Sequence, residues 1–210
     1  MLIIPELKTV VLQPPRTGST SLRDVILQTY PRAISLYRHM ERTGIPPGYE
    51  IWRTCCLIRD PFERLVSIYN YMSAFAATSK VATREWVERM SGDTDRPFPQ
   101  WLEESREVFT DPLDVDGTFN PYYNVCDPTP IARKSQARWA RPDLGPVSLL
   151  PIDDADRLQE VLGVAAPVMN QATRPGRPER CARVEAHIQR HFAWDLAVTR
   201  PWMRARRRIA

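Results

Sequence analysis

Apolar positions along the first eighty residues switch between two periods. Residues 8–13 (KTVVLQ) form a short Val-rich run closed by Pro14 and Pro15, the pattern of a buried strand. Beyond Gly18, the residues Leu22, Val25, Ile26 and Tyr30 recur at helical spacing, so a helix is predicted over 18–30 after a tight loop. Residues 33–37 predict a second strand, and 38–50, with Gly44, Pro46, Pro47 and Gly48, a loop. Residues 53–58 (RTCCLI) predict a third strand, stopped at Asp60 and Pro61. Leu65, Val66, Ile68, Tyr69 and Met72 then mark one face of a helix over 62–77. This order predicts an α/β sandwich, a central parallel sheet with helices on both faces. Ligands in such sheets bind beyond the carboxyl ends of the strands.

The second half is less regular. Short helices are expected over 83–90 and 99–109, and one helical stretch over 134–140 inside a Pro- and Asp-rich segment, 110–146. A fourth strand is predicted over 147–150, a helix with an acidic start over 153–162, a loop over 166–178 and a final helix over 179–196. The chain holds 20 Pro against 8 Gly, which predicts stiff, irregular connections after residue 96. At 210 residues one domain is expected. Residues 1–80 form its ligand-binding core, and 81–210 supply helices and loops, a late strand and the last helix.

Charge narrows the partners. The net charge of +4 rests almost wholly on Arg, since Lys occurs only at Lys8, Lys80 and Lys134. Arg presents a planar fork suited to phosphate and sulfate. The excess is too small to argue for nucleic acid, and the basic run Arg204, Arg206, Arg207, Arg208 reads as a solvated end. Cys55, Cys56, Cys126 and Cys181 show no metal-ligand spacing, and neighbours in a strand point to opposite faces, so reduced thiols in the cytoplasm are expected. No stretch has the length or apolarity of a membrane span, and residues 1–5 lack the features of an export signal.

Two segments carry candidate chemistry. Residues 13–21 (QPPRTGSTS) join a strand to a helix. Backbone N–H groups at a helix start and the positive end of its dipole favour an anion there. Gly18 permits close backbone approach, Thr17, Ser19, Thr20 and Ser21 add hydroxyls, and Arg16 adds a fixed charge. The segment lacks the Gly and Lys placement of a Walker A loop. A Ser/Thr-rich helix cap without a ligand is the alternative. The second segment is Arg59-Asp60-Pro61-Phe62-Glu63-Arg64-Leu65-Val66-Ser67-Ile68-Tyr69. Arg59 ends a strand, Pro61 suits the first helical position, Asp60 suits its cap, and Arg59 and Ser67 can converge on a second phosphate. The alternative is a capped helix with Arg64 as a surface charge.

Together these segments resemble the sulfotransferases that use 3′-phosphoadenosine 5′-phosphosulfate (PAPS), nearest to the carbohydrate 2-O-sulfotransferases and to short bacterial or phage members. Pro15-Arg16-Thr17-Gly18-Ser19-Thr20-Ser21 stands where the family reads P-K-T-x-x-T-S. Arg59, Asp60, Pro61, Arg64, Ser67 and Tyr69 match R-[DN]-P-x-x-R-x-x-S-x-Y. Weaker similarity runs through Gln136, through 147–170 and to Asp195. The resemblance implies a P-loop-like fold, a first loop that binds the 5′-phosphosulfate, and Arg59 and Ser67 on the 3′-phosphate. It also implies a late basic loop over the cofactor, placed here at Arg174 and Arg177, for which a solvated loop is the alternative. Arg16 replaces the family's Lys and stays charged throughout.

The implied reaction moves a sulfuryl group to an acceptor hydroxyl, on a glycan or small molecule, by in-line displacement without a metal. His39, after the second strand, is the expected base, with Glu41 and Glu50 as rivals. Arg16 stabilises charge on the leaving oxygen. His187 and His191 lie one helical turn apart with no third metal ligand. Trp86, Trp101 and Trp139 either line an acceptor cleft or pack in the core. A divergent small kinase and a non-catalytic nucleotide-binding module remain the alternatives of other classes.

Overall fold

A computed structural model of the chain describes residues 1–36, 39–78, 96–106, 127–165 and 177–207. The expected helix over 83–90, Trp86, Cys126, Asn170 and Arg174 lie outside them. Five strands, β1 (Leu2–Ile4), β2 (Thr9–Leu12), β3 (Ile34–Ser35), β4 (Arg53–Ile58) and β5 (Ser148–Pro151), form one sheet in the order β3-β1-β2-β4-β5. The helices are α1 (Ser19–Thr29), α2 (Pro61–Thr78), α3 (Phe98–Glu104), α4 (Ala137–Ala140), α5 (Ala155–Leu162), α6 (Ala182–His191) and α7 (Ala193–Arg207).

The sheet is mixed rather than wholly parallel. β2, β4 and β5 are parallel, with Val11 beside Cys55 and Leu57 beside Leu150. β1 runs antiparallel to both β2 and β3. The apolar start of the chain is therefore a strand that the sequence pattern did not announce. Pro5 opens a single 3-10 turn and Lys8 reverses the chain at φ 45°, so three residues suffice to pair with β2. Two reversals leave β3 running in the same direction as β2. The segment after β3 thus reaches the edge where β2 and β4 end.

Alternation along the strands separates two apolar layers. Ile3, Val10, Leu12, Cys56 and Ile58 pack with Phe62, Leu65 and Ile68 of α2 and with Val184 and Ile188 of α6. Leu2, Ile4, Val11, Cys55 and Leu57 pack on the other face with Leu22 and Ile26 of α1 and Leu158 and Leu162 of α5. Helices therefore cover both faces. Cys55 and Cys56 are free thiols in separate layers, and burial raises the Cys55 pKa to about 11. Trp101 and Trp139 are fully buried, which places them in the core rather than along a cleft.

The expected last helix is two helices. The first ends at His191 and is capped by Phe192, which is fully buried. The second continues through Arg207, so part of the basic end is helical. No helix among the described residues is long and apolar enough to cross a membrane.

Candidate functional site

Three carboxyl-end segments, 13–18, 39–40 and 59–60, meet at one edge of the sheet. The loop between β2 and α1 is held there by its carbonyls. Gln13 C=O accepts from His39 Nδ1 at 2.9 Å, and Pro14 C=O from Thr17 Oγ1 at 2.7 Å. Pro15 C=O accepts from Arg64 Nε at 3.1 Å, and Arg16 C=O from an Arg59 terminal nitrogen at 3.1 Å. Four consecutive carbonyls are thus engaged as acceptors. The first bond of the α1 ladder joins Leu22 N–H to Gly18 C=O, so the N–H groups of Ser19, Thr20 and Ser21 precede it. N–H groups at a helix start beside engaged carbonyls are an arrangement that suits an anion.

Arg16 supplies the charge. Its backbone is left-handed (φ 64°), as is that of Gly18 (φ 72°). For an Arg this conformation costs about 1 kcal/mol and persists only where neighbours impose it. Its Nε donates to Ser67 Oγ at 3.1 Å, and its guanidinium lies 4.6 Å from the centre of the Tyr71 ring. Ser67 and Tyr71 stand one turn apart on α2, so one helix face grips the side chain. Ser67 accepts in this contact and keeps its own O–H as a donor. Burial lowers the Arg16 pKa, with Tyr71 opposing, and no carboxylate among the described residues pairs with the side chain. A half-buried cation without a counter-ion attracts an anionic ligand.

His39 is held at its ring and at its backbone. A carbonyl only accepts, so Nδ1 carries the proton in the bond to Gln13. In the neutral ring this leaves the lone pair on Nε2. The His39 carbonyl accepts from Trp139 Nε1 at 2.9 Å, which ties its backbone to α4. The rival carboxylates are placed differently. Glu41 is buried in an ion pair with Lys134 and accepts from Asp127 N–H at 3.0 Å. Glu50 is exposed, accepts from Gly48 N–H at 2.6 Å, and precedes β4, at the edge opposite the loop.

Arg64 is fully buried, which removes the alternative that it is a surface charge. Besides Pro15, it donates to Lys134 C=O at 3.0 Å and lies 5.1 Å from the Trp139 ring centre. Burial lowers its pKa to about 10, with Asp195 opposing, so it stays protonated at neutral pH. Asp60 caps α2, accepting from Glu63 N–H at 3.0 Å. Arg177 pairs with Glu63 and lies 5.6 Å from the Phe62 ring centre. Arg180, which the sequence did not single out, lies 4.4 Å from the same ring and 3.2 Å from Asp60. Both therefore cover the start of α2.

Gln13 and Gln136 were also not read as site-building residues. Gln13 is fully buried, donates to Ser19 C=O at 3.2 Å and accepts from Arg23 at 3.1 Å, joining strand end to helix start. Gln136 is fully buried against Arg59. A buried amide at a strand end is the signal that marks both. The His187 and His191 ring centres lie 4.7 Å apart with the planes tilted by 47°, but His187 Nε2 is bonded to Ala132 C=O at 2.7 Å, and no metal-holding group of His, Cys, Asp and Glu occurs among the described residues. Comparison with family models, with curated proteins and with solved structures finds no match for the chain.

Proposed function

We propose that the chain is a PAPS-dependent sulfotransferase acting on a hydroxyl of a glycan or small molecule. The observation that carries this reading is the loop itself: four consecutive carbonyls engaged as acceptors, and beside them Arg16, with which no carboxylate among the described residues pairs. That donor set suits a ligand with two separated anionic groups. The N–H groups of Ser19, Thr20 and Ser21 and the Arg16 guanidinium take the 5′-phosphosulfate. Arg59 and the free O–H of Ser67 take the 3′-phosphate.

When bound, PAPS supplies the sulfuryl group and the leaving phosphate oxygen. His39 Nε2 takes the proton of the acceptor hydroxyl as its oxygen bonds to sulfur, and Gln13 C=O holds the ring in that tautomer. Arg16 stabilises the negative charge that develops on the phosphate oxygen as the S–O bond breaks. Thr17 has an internal role, because its hydroxyl closes the loop on Pro14. The cytoplasm is the expected compartment, and Arg177 helps to cover the cofactor edge through its contacts on α2.

The test is turnover. Purified protein is incubated with radiolabelled PAPS and a panel of glycans and small hydroxyl compounds, without added metal. Label transferred to an acceptor, with stoichiometric adenosine 3′,5′-bisphosphate, is the expected result. Transfer of phosphate from Mg-ATP to the same panel, with none from PAPS, would assign the chain to the kinases instead.

A further inference from the structure

A polar chain from the far end of the sequence reaches the anion edge. Gln136 lies in the turn before α4 and has no exposed surface. Its side-chain amide pairs with the backbone of Arg59 at both groups. Arg59 N–H donates to Gln136 Oε1 at 2.9 Å, and Gln136 Nε2 donates to Arg59 C=O at 2.8 Å. Asp195, at the start of α7, fixes which way that amide faces. Its carboxylate only accepts, and it accepts from Gln136 Nε2, from Gln136 N–H at 2.9 Å and from the Ser135 hydroxyl. A flipped amide would set its oxygen against the carboxylate and lose both bonds to Arg59. The same turn offers Lys134 C=O to Arg64, which holds the loop at Pro15.

We infer that Gln136, oriented by Asp195, is a positioning residue that sets the backbone of Arg59 and thereby aims its guanidinium at the 3′-phosphate. The inference rests on the sulfotransferase reading for the identity of that phosphate. Arg59 follows the last residue of β4, where ladder pairing ends. Gln136 supplies a two-point bond in place of a neighbouring strand. Fixing the Cα and both peptide groups of an Arg narrows the arc its long side chain samples, and this lowers the entropy lost on binding. The Arg59 side chain already bonds Arg16 C=O, so its aim and the loop's position are set together.

The experiment compares calorimetric binding of adenosine 3′,5′-bisphosphate and 5′-AMP in wild type, Gln136→Ala and Asp195→Asn. Both variants are expected to bind the bisphosphate about tenfold more weakly while 5′-AMP affinity is unchanged, the size of one lost bond to a charged group. A purely structural role would lower the melting temperature and leave the ratio of the two affinities at its wild-type value, which overturns the inference. Should the variants fail to fold, wild-type NMR decides. The Gln136 side-chain amide signals shift with the bisphosphate and not with 5′-AMP, or else the inference fails. A wild type that does not prefer the bisphosphate refutes the sulfotransferase reading itself, a result distinct from a variant that keeps the preference.

Discussion

At the scale of single residues, the proposed reaction divides its chemistry between His39 and Arg16. His39 is fixed by a bond on Nδ1 and by its own carbonyl, and in that reading it is the base and not a phosphate ligand. His39→Ala is expected to lower kcat by about a hundredfold while adenosine 3′,5′-bisphosphate binds as in wild type. Retained kcat in steady-state assays would transfer the base to another group. Glu41 is poorly suited to replace it, being buried beside Lys134. Residue identity showed much of this in advance. The placing of Arg16, Arg59 and Ser67 together is legible from two motifs. The burial of Arg64 is less so, although it falls four residues before Ile68 on an otherwise apolar helix face. Which buried cation bonds backbone carbonyls depends on the loops 13–16 and 134–136 meeting in space, and no local pattern encodes that.

At the scale of elements, α2 is the organising piece. Its first turn is capped by Asp60, its second buries Arg64 beneath the loop, and its next turns present Ser67 and Tyr71 to Arg16. Arg64→Ala strands the carbonyls of Pro15 and Lys134 and opens a void beside Trp139. A loss of about 3 kcal/mol is expected in urea unfolding. A loss below about 1 kcal/mol would mean that the buried cation contributes little to the fold. The α6 helix carries a pH response. Burial lowers both His187 and His191 below the ordinary value of 6.5, more than the opposing bond to Ala132 raises His187. The unfolded chain therefore takes up these protons first as pH falls. Their contribution is complete above 6.5 and is lost as pH drops through that value toward the lowered folded ones. Melting temperature should fall between about pH 7 and pH 5, and His187→Gln should fall less steeply; equal slopes would assign the loss to other groups. The elements of the α/β repeat were legible because periods of two and 3.6 are local. The hairpin of β1 was not, because three apolar residues before a Pro show no period at all.

At the scale of the molecule, the second half of the chain serves the first. Trp139 holds His39, the turn at 134–136 holds Arg59 and Arg64, and Asp195 holds that turn. The fold therefore builds this sheet edge from segments more than a hundred residues apart. Sequence spacing cannot express such convergence. The mixed sheet serves the same end, since the two reversals at β1 bring His39 to the edge shared by β2 and β4. On the proposed function, this edge takes a nucleotide with a 3′- and a 5′-phosphate. Calorimetric titration of wild-type protein with adenosine 3′,5′-bisphosphate, against 5′-AMP and Mg-ATP, decides it. The bisphosphate is expected to bind at least about tenfold tighter than either control, from the added contacts of Arg59 and Ser67. Equal affinity for all three, or preference for Mg-ATP, would contradict it.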